Sequence, residues 1–120
     1  MNSMSDSIET RLFVYGSLAP GRSNAHVLGP LPGSWQSATV EGLLLAEGCE
    51  LSYGYPALIL NSKDPGAGEV PGLLFVSPAL PDFWPELDEF EGEGYRRVVT
   101  SVVTEAGVEL SAYTYELNTQ

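Results

Sequence analysis

Apolar residues in this chain come mostly in short runs bounded by glycine or proline. Leu12-Phe13-Val14-Tyr15 is a compact apolar run that stops at Gly16, which reads as a buried strand. Residues 17–24 read as a loop carrying Pro20-Gly21, and residues 26–28 as a short helical turn ended by Gly29-Pro30. A strand is expected over 39–46 with Gly42 as a bulge, and another over Ala57-Leu58-Ile59-Leu60 after an irregular stretch at 48–56. Past a Pro- and Gly-rich loop at 63–68, residues 69–76 read as a strand interrupted by Pro71-Gly72. Residues 97–104 carry two Val-Val pairs and suit a strand; Glu105-Ala106-Gly107 is a turn. A last strand over 108–117 puts Tyr113 and Tyr115 on one face.

Only one segment has a clear helical period. Ser77-Pro78 looks like a helix start, with serine as cap and proline at the first helical position. Leu80, Phe83, Trp84, Leu87 and Phe90 follow the i, i+3, i+4, i+7 spacing of an apolar stripe. Pro85 predicts a break or kink, and Gly92 a stop. At about 100° per residue, with Leu80 as zero, the stripe runs from roughly -80° (Phe90) to roughly +40° (Trp84). Asp82, Glu86 and Glu89 fall opposite it and Asp88 near its border. Glu91 falls at roughly +20°, inside the stripe and one turn after Leu87.

A carboxylate on a buried face is costly unless paired, and the helix C-terminus presents it with carbonyl oxygens. Both effects raise its pKa, which suits a general base or acid working near neutral pH. The structural alternatives are a helix that frays before residue 91, or an ion pair of Glu91 with Arg96 or Arg97.

Composition narrows the classes of function. The 120 residues fit one domain, expected over 11–118, with residues 1–10 as a disordered polar tail. Sixteen acidic residues against five basic ones give a net charge of -11, which argues against nucleic-acid partners and anionic membranes. An anionic substrate is repelled at long range, so a local group must hold it, such as a nest of backbone N–H groups. Tyr15-Gly16-Ser17-Leu18, at the end of a buried strand, can form such a nest or a plain β-turn. The single cysteine, Cys49, suits a reducing compartment, and no apolar run marks a signal peptide or a membrane span, so a cytoplasmic protein is expected. One Cys and one His supply no zinc spacing. Cys49 with His26 has no local nucleophile–base signature. Trp35 and Trp84 read as core or pocket wall, and Tyr115 as core or as a pocket residue offering its hydroxyl.

Several segments together resemble the gamma-glutamylcyclotransferase-like family, with its AIG2-like and gamma-glutamylamine cyclotransferase members. Phe13-Val14-Tyr15-Gly16-Ser17-Leu18 is similar to the family's Y-G-[ST]-L. Leu87-Asp88-Glu89-Phe90-Glu91-Gly92, followed by Tyr95-Arg96-Arg97, is similar to its L-D-x-[FY]-E-G and Y-x-R. Tyr55-Pro56-Ala57-Leu58 and Ala112-Tyr113-Thr114-Tyr115 resemble two further strands, so the likeness covers roughly residues 11–118. It implies an α+β fold, a small mixed, mostly antiparallel β-barrel with helices packed outside. It also implies Glu91 as catalytic glutamate and Tyr15, Gly16, Ser17 and Leu18 as the substrate-holding loop. The implied reaction turns a small gamma-glutamyl amine or peptide into 5-oxoproline and a free amine, with no cofactor. Rival expectations are a same-fold enzyme that releases a gamma-glutamyl protecting group in a biosynthetic pathway, and a non-catalytic binding module. The chain departs from some relatives in having only Gly92-Glu93-Gly94 between Glu91 and Tyr95, a short acidic loop bordering the site.

Overall fold

The computed structural model describes residues 8–16, 21, 25–45, 57–60 and 65–117. The described residues hold six strands: β1 (Arg11–Val14), β2 (Ser34–Leu45), β3 (Ala57–Leu60), β4 (Gly68–Val76), β5 (Tyr95–Thr104) and β6 (Glu109–Leu117). The α-helix among the described residues, α1 (Leu80–Glu91), lies between β4 and β5 in the chain. Strand order is β3-β2-β4-β1-β6-β5, and β2 also pairs with β5. That last pairing, Ala38 opposite Thr104 and Thr39 opposite Val103, closes five strands into a barrel and leaves β3 attached outside the ring on β2. The β1–β6 seam is parallel and the other pairings are antiparallel. The expected α+β barrel, mixed and mostly antiparallel, is therefore what forms, with helix α1 packed on it.

Alternation along the strands builds two cores. Phe13, Ala38, Val40, Leu58, Val70, Leu74, Val102 and Ala112 form one cluster. Leu12, Val14, Leu28 and Phe75 join Leu80, Trp84, Leu87 and Tyr115 in the other, between barrel and helix. Strand β1 serves both, which is why Leu12-Phe13-Val14 is apolar without alternation.

The parallel seam has only Leu12 opposite Tyr113 in register. Side chains reinforce it: Arg11 Nη1 donates to Ser111 O at 2.9 Å, Thr114 Oγ1 to Phe13 O at 2.9 Å, and the Tyr15 hydroxyl to Tyr115 O at 2.6 Å. The outer edge of β3 is met in the same way. Leu58 N–H donates to the Tyr15 hydroxyl oxygen at 3.3 Å and Leu60 N–H to Glu116 Oε1 at 3.1 Å.

Several local expectations need correction. β2 starts at Ser34, and Gly42 keeps regular register with both Leu60 and Gly68, so it makes a close approach and not a bulge. β4 runs unbroken through Pro71-Gly72. Val14 opposite Leu73 is the last β1 pair, so Pro71 has an edge on that side, where a missing N–H costs nothing. A Cβ on Gly72 would meet Val14 O at 2.5 Å and the Phe13 ring at 2.6 Å, so glycine there is a packing requirement.

The helix begins at Leu80, not Pro78, because Ser77 is buried at the end of β4 and donates its N–H to Thr10 O at 2.8 Å. Its hydroxyl accepts the Ala79 N–H at 3.1 Å, and Pro81 occupies the first turn. Helix α1 continues through Pro85. The bond lost there is to the carbonyl of Pro81, and both prolines lie on the exposed side of the helix. Gly92 ends the helix at φ 77°, its N–H donating to Asp88 O at 3.0 Å. Phe90, at the edge of the stripe, is 45% exposed.

Residues 8–10, expected in the tail, form a 3-10 turn with Thr10 buried, and Glu9 O accepts the Trp84 indole N–H at 3.0 Å. A second 3-10 turn at Ala25–Val27 carries an exposed His26.

Candidate functional site

The site is built where α1 leaves the barrel. Leu80, Trp84 and Leu87 anchor the helix by burial. One residue past Leu87, Asp88 meets the barrel through charge. Arg97 of β5 grips it with both arms of its guanidinium, Nε to Oδ1 at 2.9 Å and Nη2 to Oδ2 at 3.1 Å. The Tyr115 hydroxyl of β6 adds a bond to Oδ1 at 2.6 Å. Arg97 itself lies over the rings of Trp84 and Tyr113, at 4.5 and 4.8 Å from their centroids. Partial burial alone would raise the Asp88 pKa; the Arg97 and Tyr115 hydrogen bonds and the guanidinium charge outweigh it and hold it below the usual carboxylate range.

Glu91, one turn further on, is opposite in character. Burial pushes its carboxyl up to about 7, and the neighbouring Asp88 charge adds to the rise. Both arginines expected as its ion-pair partners are engaged elsewhere: Arg97 with Asp88, and Arg96 with Glu116 at 2.8 Å. The helix stays intact through residue 91, so the fraying alternative does not hold either.

The Glu91 charge reaches Tyr15 and Tyr115. Burial, first of all, raises both phenols; Tyr95 and Glu91 then add to the rise at Tyr15, and Asp88 and Glu91 contribute at Tyr115. Both hydroxyls therefore stay protonated donors at neutral pH. Of the residues predicted for the site, Tyr15 and Tyr115 are joined by the hydrogen bond from the Tyr15 hydroxyl to Tyr115 O, and Glu91 acts on both phenols through its charge. Gly16 is half-buried at the bend after β1, while Ser17, Leu18 and Cys49 lie outside the described residues.

An open depression of about 740 Å³ lies alongside, lined by Asp88, Glu89, Gly92, Glu93, Tyr95, Arg96, Arg97, Tyr113 and Tyr115. It places Tyr115 at a cavity wall and in the core at once. Glu91 is not part of its lining, so the depression flanks the carboxyl and does not contain it. Asp88, Arg97 and Glu116 went unread as a constellation in the sequence. The available signals were Asp88 at the stripe border, three residues before Glu91, and Arg97 as an ion-pair candidate, assigned there to Glu91.

The match to a family model decides the kinship: the model described as gamma-glutamyl cyclotransferase, AIG2-like, covers residues 12–120. The chain belongs to this family. Among solved structures, a protein of Arabidopsis thaliana is 30% identical with TM-score 0.71, over 98% of this chain and 74% of that one. YkqA of Bacillus subtilis is 28% identical with TM-score 0.69, over 91% of this chain; the match spans only 36% of YkqA. An AIG2-like protein of Mus musculus, 18% identical with TM-score 0.65 over 92% of this chain and 78% of that one, shares the fold. No curated protein matches the chain. Among the described residues no group of three His, Cys, Asp or Glu side chains could hold a metal ion. No helix among them is long and apolar enough to cross a membrane.

Proposed function

We propose that the chain, as one catalytic domain over residues 11–118, is a cytoplasmic gamma-glutamyl cyclotransferase. It converts a small gamma-glutamyl amine or peptide to 5-oxoproline and the free amine, with Glu91 as base and then acid. The observation that supports this most strongly is a half-buried carboxyl at the end of α1, held near neutral pKa, with Arg96 and Arg97 both bound to other carboxylates.

The substrate's α-ammonium gives a proton to the Glu91 carboxylate. The freed amine attacks its own γ-carbonyl carbon; a C–N bond forms and the carbonyl π pair moves to oxygen. The oxyanion then re-forms the carbonyl as the bond to the leaving nitrogen breaks. Two protons leave the attacking nitrogen in all, and two reach the departing one, which leaves as an ammonium. A carboxyl with a pKa of about 7 can carry each of them between the two nitrogens. The N–H groups of Tyr15, Gly16, Ser17 and Leu18 hold the substrate carboxylate or the oxyanion so that the chain folds back on itself. Tyr115 walls the site. The route calls for no metal or organic cofactor.

The test is 5-oxoproline release from gamma-glutamyl amines, gamma-glutamyl dipeptides and an α-glutamyl amide, which cannot cyclise in the same way. Release from gamma-linked compounds alone supports the proposal. Turnover confined to a gamma-glutamyl conjugate with a larger, biosynthetic leaving group, added to the panel, would favour the deprotecting enzyme, and no product from any compound the non-catalytic module.

A further inference from the structure

The proposed reaction gives no role to the most elaborately bonded side chain near Glu91. Asp88 accepts three hydrogen bonds from two strands: two from Arg97 of β5 and one from Tyr115 of β6. Arg97 is in turn held against Trp84 of the same helix and Tyr113 of β6. An aspartate that merely decorated a helix surface would need none of this. We infer that Asp88 is a positioning residue for Glu91. Clamped by the Arg97 fork and the Tyr115 hydroxyl, it fixes the rotation of α1 on the barrel and holds a permanent negative charge one helical turn before the Glu91 carboxyl.

Both consequences follow from geometry. Residues i and i+3 share a helix face, so turning α1 about its axis moves Asp88 and Glu91 together. A bidentate arginine pair resists that rotation better than apolar contact does, because its two parallel bonds are directional. The charge works as well. Asp88 stays ionised through neutral pH because its partners stabilise the charged form, whereas Glu91 has only burial and that neighbouring charge acting on it. The Glu91 charge also acts on the phenols of Tyr15, just past β1, and Tyr115 on β6, both neutral at pH 7. On β5, Tyr95 acts on Tyr15, Arg97 faces Asp88, and Arg96 is drawn to Glu116 of β6. Glu93 follows just past the helix end. Asp88 is therefore the nearby ionised group whose state is locked, and Arg97 the cation that tempers it.

This inference rests on the reading of Glu91 as acid/base, but its test does not. The Glu91 carboxyl is titrated by NMR in the wild type, Asp88→Asn and Arg97→Gln. Removing the Asp88 charge lowers the Glu91 midpoint by about half a unit to one unit. Removing the guanidinium leaves Asp88 unshielded and raises it. Shifts of opposite sign support the positioning role. An unchanged midpoint in Asp88→Asn, or a fall in both variants, overturns it, since lost packing alone opens the site to water in either case. Should Asp88→Asn not fold, a fall or no change in Arg97→Gln is sufficient to overturn it. The acid limb of kcat/KM moves with the NMR midpoint only if Glu91 is the working base. A moved midpoint with an unmoved limb would therefore sink the function and leave the positioning intact.

Discussion

Glu91 and Asp88 lie three residues apart on one helix, yet burial and partners push their carboxyls in opposite directions. Their effects on stability oppose each other too. Between about 4.5 and 7 the folded chain binds more protons at Glu91 than the unfolded chain does, so this group's contribution to stability is lost as pH rises through that window. Asp88 acts the other way: its pKa is depressed, so its contribution is present above the ordinary carboxylate range and lost as pH falls through its folded value. Glu91→Gln should therefore be more stable than wild type above pH 7, by roughly 2 kcal/mol, and no more stable at pH 4. Urea unfolding at the two pH values checks this. In turnover, the acid limb of kcat/KM should have its midpoint near 7, not at the ordinary glutamate value of 4.5. The place of Glu91 was legible from the helical period, since only its angle put a carboxylate among apolar residues. The pairing of Asp88 with Arg97 was not legible. Composition offers sixteen acids for five bases, and only the fold decides which meet.

Strands and helix show the same division. The periodic and apolar cores of β1, β3, β5, β6 and α1 were readable within a residue or two. The misreadings cluster where a tertiary contact overrides a local signal. Ser34 to Ser37 look like loop but pair with β4. Pro71-Gly72 looks like a break but lies where β1 has ended and Phe13 fills the space over Gly72. Gly72→Ala should cost about 1–3 kcal/mol by overpacking, seen as a lower denaturation midpoint. Tyr15 ties three strands, donating to β6 and accepting from β3. Tyr15→Phe leaves Tyr115 O and Leu58 N–H each short of a partner, for a loss of about 1–3 kcal/mol. Hydrogen exchange should quicken most at Leu58, on the appended strand; uniform quickening across the barrel would contradict the clamp.

At the scale of the whole molecule, closure of the barrel was legible only through family resemblance, because periodicity says that strands are half-buried but not that β2 and β5 meet. Net charge was legible at once, and it carries a prediction. With -11 on the chain, kcat/KM should rise with added salt for gamma-glutamyl compounds whose leaving group is anionic, and fall for those whose leaving group is cationic. Equal salt dependence for the two would show that the field at the site is set locally. The central claim, that one carboxyl on α1 moves the protons, has a more direct measurement: 5-oxoproline release by Glu91→Gln, with Glu86→Gln as control on the exposed face of the same helix. The account predicts a fall of at least about a hundredfold for the first variant, with the fold intact, and wild-type turnover for the second. Turnover in Glu91→Gln equal to that of the wild type would contradict it.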